Sequence, residues 1–351
     1  MNEHWDYDPE KGWIPPTNNA PSAYSAASDG GTASAIDLRR ERLQAASIAL
    51  GISFITLLTA AFQYLLVFLV YRFAPAIADT DWYYIVLSTA PMYAFAMPLA
   101  FLFFRIGRSD PPPTRRMSLP AWLGVLAICF TLMYAGNFIG IIVNAIISII
   151  TGEPTVNELA ELTLNTPLWA NLLFCGILAP IFEEIFYRKL VIDRLRRYGD
   201  LTAILISGGL FGLVHGNFSQ FFYASFIGVV FGYIYLRTGK LRYTIGLHMA
   251  VNLVGGVYAT EMTKLLTPIL ESTDPLLAMV ENPACVTMVL LYFLFLAACV
   301  VATPIALVLL WKKIGFEKAQ VRLSGNTAVR VFLLNPAVWL LAAVILLMFL
   351  G

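Results

Sequence analysis

The chain has 351 residues, of which 59% are hydrophobic and only 13% charged, with a formal net charge of +1. A soluble domain is nearer half apolar and a quarter charged, so this balance excludes an ordinary soluble fold and points into a lipid bilayer. Near-neutrality also excludes nucleic acid as a partner, because that would need a basic stripe.

Residues 1–43 are mostly polar, and the run PPTNNAPSAYSAASDGGTASA is rich in Pro, Ser, Ala and Gly. Such a composition cannot bury a core and reads as a disordered cytoplasmic tail, with no cleavable signal peptide expected. Nine apolar stretches follow, of about the 20 residues needed to cross ~30 Å of hydrocarbon. They lie near 45–71, 82–104, 119–150, 166–187, 201–217, 219–236, 243–260, 286–311 and 331–350.

The expected architecture is therefore all-α: a polytopic transmembrane helix bundle of about nine spans. After the tail come the first three spans (44–160), a core holding the intramembrane polar residues (161–260), and an external loop with a C-terminal transmembrane hairpin (261–351). All but Arg72 and Lys264 of the 23 Lys and Arg residues fall on one side of this arrangement. The positive-inside rule then puts the N-terminus in the cytoplasm of an integral membrane protein. No internal repeat is visible, so the inverted-repeat plan of many transporters finds no support. Cys129, Cys175, Cys285 and Cys299 lie in or beside apolar runs without metal-ligand spacing and read as reduced, buried thiols.

Ionisable side chains inside spans are costly and each needs a reason. The fourth span ends in Glu183-Glu184-Ile185-Phe186-Tyr187-Arg188. Glu184 and Arg188 are four apart and can neutralise one another on one helix face. Glu183 lies about 100° around the helix, with Tyr187 at its i+4 position, and is left to face a cavity. Read alone, the two acids serve equally well as a helix end among lipid headgroups.

The fifth span holds Phe211 and His215, and the seventh His248 and Asn252, each pair at i, i+4. A lone histidine in a span is more often a packing residue than a catalyst, but two histidines with an unpaired glutamate change the balance. Gly208, Gly212 and Gly216, with Gly228 and Gly232 on the sixth span, suit close helix approach. Counted along the helices from their basic ends, His215 should lie ~20 Å deep and His248 ~10 Å. A shared site then requires the fifth helix to begin outside the hydrocarbon or to tilt.

The ordered set Glu183-Glu184-x3-Arg188, Phe211-x3-His215 and His248-x3-Asn252 resembles the CPBP (CAAX protease and bacteriocin-processing, or Abi) family. That family includes the type II CAAX prenyl endopeptidases, and its pattern is EExxxR, FxxxH and HxxxN or HxxxD on successive spans. The resemblance covers roughly residues 166–260. It implies a CPBP-type catalytic core around a hydrated cavity open to the cytoplasm or inner leaflet, and an intramembrane endopeptidase of the cell membrane.

By the same resemblance Glu183 activates water, His215 positions that water, and His248 and Asn252 stabilise the oxyanion. Glu184 and Arg188 hold these groups in place. The substrate implied is a membrane-associated peptide or protein, prenylated in the CAAX case. The cofactor stays open: Glu183, His215 and His248 could ligate zinc, while a metal-independent, glutamate-dependent reaction is slightly preferred. HExxH is absent, which excludes a site-2-type zinc protease.

Three rival readings remain. A catalytically inactive CPBP scaffold would bind a membrane partner, and an ion-coupled transporter would use the same polar residues as a pathway. A rhomboid-like serine protease would pair Ser207 with His248, but Leu205 occupies the place where a GxSG motif needs glycine.

Overall fold

The computed structural model describes residues 6–8, 12–14, 37–155, 157–311 and 314–350. It divides into two units, Met1–Asp37 and Leu38–Gly351. In the first, β1 (Asp6–Asp8) pairs antiparallel with β2 (Gly12–Ile14), Asp6 opposite Ile14 and Tyr7 opposite Trp13. The rest of the tail expected over 1–43 lies outside the described residues, except that from Leu38 onward the chain is already helical.

The second unit is all-helical. Its first half comprises α1 (Leu38–Phe73), α2 (Tyr83–Phe104), α3 (Leu119–Thr151), the short α4 (Glu158–Leu164), α5 (Leu168–Tyr198) and α6 (Asp200–Leu213). Then follow α7 (Phe218–Thr238), α8 (241–270), the short α9 (Pro275–Glu281), α10 (Pro283–Trp311), α11 (Gly325–Leu333) and α12 (Pro336–Leu350).

Among the described residues, six helices (α1, α2, α3, α5, α7 and α10) are long and apolar enough to cross a membrane. A seventh is counted if α11 and α12, bent by 59°, form one span. The expected count of nine is not reached, and two elements account for the shortfall. α6 has only 14 residues before its chain turns back. α8 is long enough, but His248, Asn252 and four glycines or threonines near them dilute its apolar run.

Local signals explain where the central helices start and stop. Ser118 caps α3 by accepting from the Ala121 N–H, and Gly152 ends it at φ +76°. Asn217 caps α7 by accepting from the Gln220 N–H, and Gly239 ends it at φ +60°. Gly216 takes φ +67° in the tight turn between α6 and α7. It is therefore a turn residue rather than the third member of a helix-packing stripe.

The other glycines work as expected. A Cβ on Gly208 would lie 2.8 Å from the Val229 nitrogen, and one on Gly228 would lie 3.1 Å from the Gly208 Cα. Gly136 brings α3 equally close to α7, since a Cβ there would sit 2.6 Å from the Tyr223 nitrogen. α7 is thus clamped between α3 and α6 by backbone-to-backbone packing, which is how helices associate where lipid supplies no hydrophobic drive.

The basic segments meet at one end of this unit. Arg197 pairs with Glu41 at 3.0 Å, Arg196 with Glu317 at 2.6 Å, and Lys189 with Asp193 at 2.9 Å. Buried Asp193 also accepts from the Tyr235 hydroxyl at 2.8 Å, and its carbonyl accepts from the Asp110 N–H. These contacts join α1, α5 and α7 to the segments that follow α2 and α10.

Candidate active site

α5 carries the two acids on a short α-helical stretch, Ala179–Glu184, between two π-wound stretches, Asn171–Leu178 and Ile185–Ile192. Wide turns of this kind are rare and concentrate at functional sites. The two acids part company as the 100° step predicts. Glu184 is fully buried and grips fully buried Arg188 through two bonds, Nε to Oε2 at 2.9 Å and a second guanidinium nitrogen to Oε1 at 3.1 Å. The Glu183 side chain keeps 16% of its surface accessible.

Arg188 is fully satisfied. It also donates to Ser207 Oγ at 3.3 Å, and its guanidinium lies over the rings of Phe211 and Phe231 at 5.1 and 5.6 Å. Ser207 in turn donates to the Tyr187 carbonyl at 3.0 Å. The serine that a rhomboid-like reading would need is buried and engaged by Arg188 and Tyr187.

α8 brings His248 to both acids. Its Nδ1 lies 3.1 Å from Glu184 Oε1, and its Nε2 lies 3.7 Å from Glu183 Oε2. The first is a hydrogen bond in which Nδ1–H donates to the carboxylate. The second is too long for a direct hydrogen bond. Glu184 therefore orients His248, and His248 faces Glu183.

Phe211 explains how His215 joins them. His215 lies just past the end of α6, and its Nδ1 donates back to the Phe211 carbonyl at 2.8 Å. That fold-back leaves Nε2 as a free acceptor, and it lowers the ring towards the start of α6. The Phe211 ring meets His215 edge-on at 5.3 Å and His248 edge-on at 5.6 Å between centroids. The two histidines, expected ~10 Å apart in depth, are bridged by the phenyl ring of the FxxxH motif.

Asn252 departs from its expected aim. Its Nδ2 donates to the Cys175 carbonyl at 2.9 Å, tying the π-wound start of α5 to α8, which itself becomes π-wound from Asn252 to Tyr258. The Ala179 N–H is taken by the Phe174 carbonyl, and the i+5 residue, Pro180, has no N–H, so this side chain satisfies the Cys175 carbonyl. One amide hydrogen remains for other work.

One site residue was missed by sequence reasoning. Tyr93, from the π-wound stretch Pro91–Ala96 of α2, donates its hydroxyl to Glu183 Oε1 at 3.1 Å. Its ring stacks on Phe182 at 5.0 Å with an interplanar angle of 11°. Tyrosine is frequent in this chain, and no spacing rule singles it out 90 residues before its partner.

Among the described residues no group of three or more His, Cys, Asp and Glu side chains is arranged to hold a metal ion. Nδ1 of His248 is held by Glu184, and Nδ1 of His215 by the Phe211 carbonyl. The four cysteines are free thiols.

Comparison with known proteins agrees with the motif set. A stretch of 102 residues is 28% identical to "Putative membrane peptidase YdiL" of Bacillus subtilis (strain 168). It covers 29% of this chain and 42% of that relative, so the chain spans less than half of the curated relative's length. No solved structure matches the chain. Residues 165–254, which hold Glu183, Glu184, Arg188, His215, His248 and Asn252, match the family model of the Rce1-like type II CAAX prenyl endopeptidases.

Proposed function

We propose that the protein is an intramembrane endopeptidase that hydrolyses a peptide bond with a water activated by Glu183. The observation that carries this reading is His248 held by Glu184 on one side and facing the accessible Glu183 carboxylate on the other. An accessible carboxylate beside a fixed imidazole is what amide hydrolysis by an activated water requires.

In the reaction Glu183 Oε2 takes one proton from the water, and the water oxygen attacks the scissile carbonyl carbon. The carbonyl π pair moves onto oxygen, giving the tetrahedral oxyanion. The C–N bond then breaks as the proton passes from Glu183 to the leaving nitrogen, yielding an acid and an amine. His215 accepts a hydrogen bond from the water through Nε2. His248, entering the reaction with a proton on both ring nitrogens, keeps Nδ1–H on Glu184 and donates from Nε2–H to the developing oxyanion, and the second amide hydrogen of Asn252 is the other donor. Arg188 fixes Glu184 and hence the imidazole. No step is routed through a metal.

The substrate is a membrane-associated peptide, with a prenylated CAAX sequence the first to test. The catalytic core corresponds to 161–260, flanked by the spans of 44–160 and the hairpin of 261–351. The basic end, with the N-terminus, faces the cytoplasm, and the plasma membrane is the proposed location.

The test is cleavage of a prenylated CAAX peptide and of non-prenylated membrane peptides by the purified chain in liposomes, read by mass spectrometry. Cleavage lost in Glu183→Gln supports the reading. A folded parent that cleaves none of them favours a binding scaffold instead.

A further inference from the structure

Glu183 has two oxygens in different surroundings. Oε1 accepts from the Tyr93 hydroxyl at 3.1 Å, and Oε2 faces His248 Nε2 at 3.7 Å. A buried tyrosine hydroxyl needs some acceptor. Tyr93 is 6% exposed, and the acceptor it meets is the one accessible carboxylate of the site rather than a carbonyl of its own helix.

The ring is fixed as well as the hydroxyl, since Tyr93 stacks on Phe182, the residue before Glu183. Two contacts between adjacent positions of α5 and one residue of α2 define where the carboxylate can point. α2 lies outside the stretch matched by the family model, residues 165–254.

We infer that Tyr93 is a positioning residue for the reaction proposed above: its hydroxyl holds Glu183 Oε1 so that Oε2 is the oxygen turned to the water. This rests on the hydrolytic reading only for its purpose; the hydrogen bond and its effect on the carboxylate can be measured without turnover. Other groups face Glu183 electrostatically: His248 from α8, His215 from α6, Tyr223 from α7, and Tyr187 and Cys175 from α5 itself. Of these groups and Tyr93, it is the Tyr93 hydroxyl that donates to Oε1, so its loss has no ready replacement among them.

The test uses the full chain in detergent micelles, labelled with dicyclohexylcarbodiimide, which reacts with protonated carboxyl groups. Labelling of Glu183 is mapped by mass spectrometry across a pH series. A hydroxyl donor favours the charged carboxylate, so its removal lets the protonated form persist to higher pH. Tyr93→Phe keeps the ring stack and is expected to raise the pH of half-labelling by about one unit in a protein that still unfolds cooperatively. A folded Tyr93→Phe protein with the parental labelling midpoint would overturn the inference.

Biosynthetic 3-fluorotyrosine gives a second measurement that does not depend on folding of the variant. Its more acidic phenol is a stronger donor and should lower the midpoint; a midpoint that stays or rises also overturns the inference. Cleavage is not needed for either readout, so failure of the proteolytic reading and failure of this one remain distinct.

Discussion

His248 places Nδ1 3.1 Å from Glu184 and Nε2 3.7 Å from Glu183, so one imidazole joins a buried, charge-paired acid to an accessible one. The two carboxylates are neighbours in sequence yet occupy opposite environments. Burial with Arg188 makes Glu184 a fixed part of the scaffold, whereas Glu183 retains the access that a reacting group needs.

Replacing Glu184 should therefore damage the fold as well as the reaction. Glu184→Ala strands the fully buried Arg188 and frees His248, and breaking such a pair costs about 3–5 kcal/mol. Thermal unfolding in detergent measures it. A Glu184→Ala protein as stable as the parent would show that the pair contributes nothing to folding.

Asn252 combines a clamp and a donor, and the two can be separated. Asn252→Ala removes the bond to the Cys175 carbonyl, at a cost of about 1 kcal/mol by the usual net value of a hydrogen bond. Loss of an oxyanion donor would lower kcat by ~10²-fold or more with little change in KM. A stability loss without a kcat effect would leave Asn252 as a clamp alone.

The position of His215 depends on how closely α6 approaches α7. A Cβ at Gly212 would lie 2.5 Å from the Phe221 carbonyl oxygen and would also meet the Ser225 side chain. Gly212→Leu should separate the two helices and cost about 1–3 kcal/mol or more. The expected readout is a lower melting temperature together with lost cleavage.

Phe211 offers a milder perturbation of the same geometry. Its ring meets both imidazoles edge-on and lies under the Arg188 guanidinium, so Phe211→Leu keeps an apolar side chain but loses the aromatic ring that these groups share. Activity should fall by about 10-fold or more, because small displacements of positioned groups are costly to rate. Parental activity in this variant would mean that the ring only fills space.

Much of this site is legible in the sequence because its chemistry is local. Glu184 and Arg188 pair at i, i+4, and the 100° step to Glu183 separates the roles of the two acids as helix geometry requires. The one-sided basic residues also forecast which segments meet at one end. Other features depend on tertiary contact.

The contribution of Tyr93 could not be read from spacing, because its partner lies 90 residues away on another helix. Nor could the commitment of Asn252 to Cys175, because it answers a carbonyl whose i+5 partner in the π-wound stretch is Pro180, and the winding itself leaves no periodic signature. The count of nine spans is not confirmed for a related reason. Helical length was inferred from apolar runs, yet α6 stops at the Gly216 turn after 14 residues, and α8 carries polar site residues in its middle.

The most direct test of the central claim is cleavage by Glu183→Gln beside the parent, using the purified chain in liposomes with the prenylated CAAX peptide and the non-prenylated set. General base catalysis contributes roughly 10²- to 10⁴-fold, so a folded Glu183→Gln protein should lose at least that much turnover while melting like the parent. Undiminished cleavage by folded Glu183→Gln would contradict the assignment of Glu183 as the group that activates water.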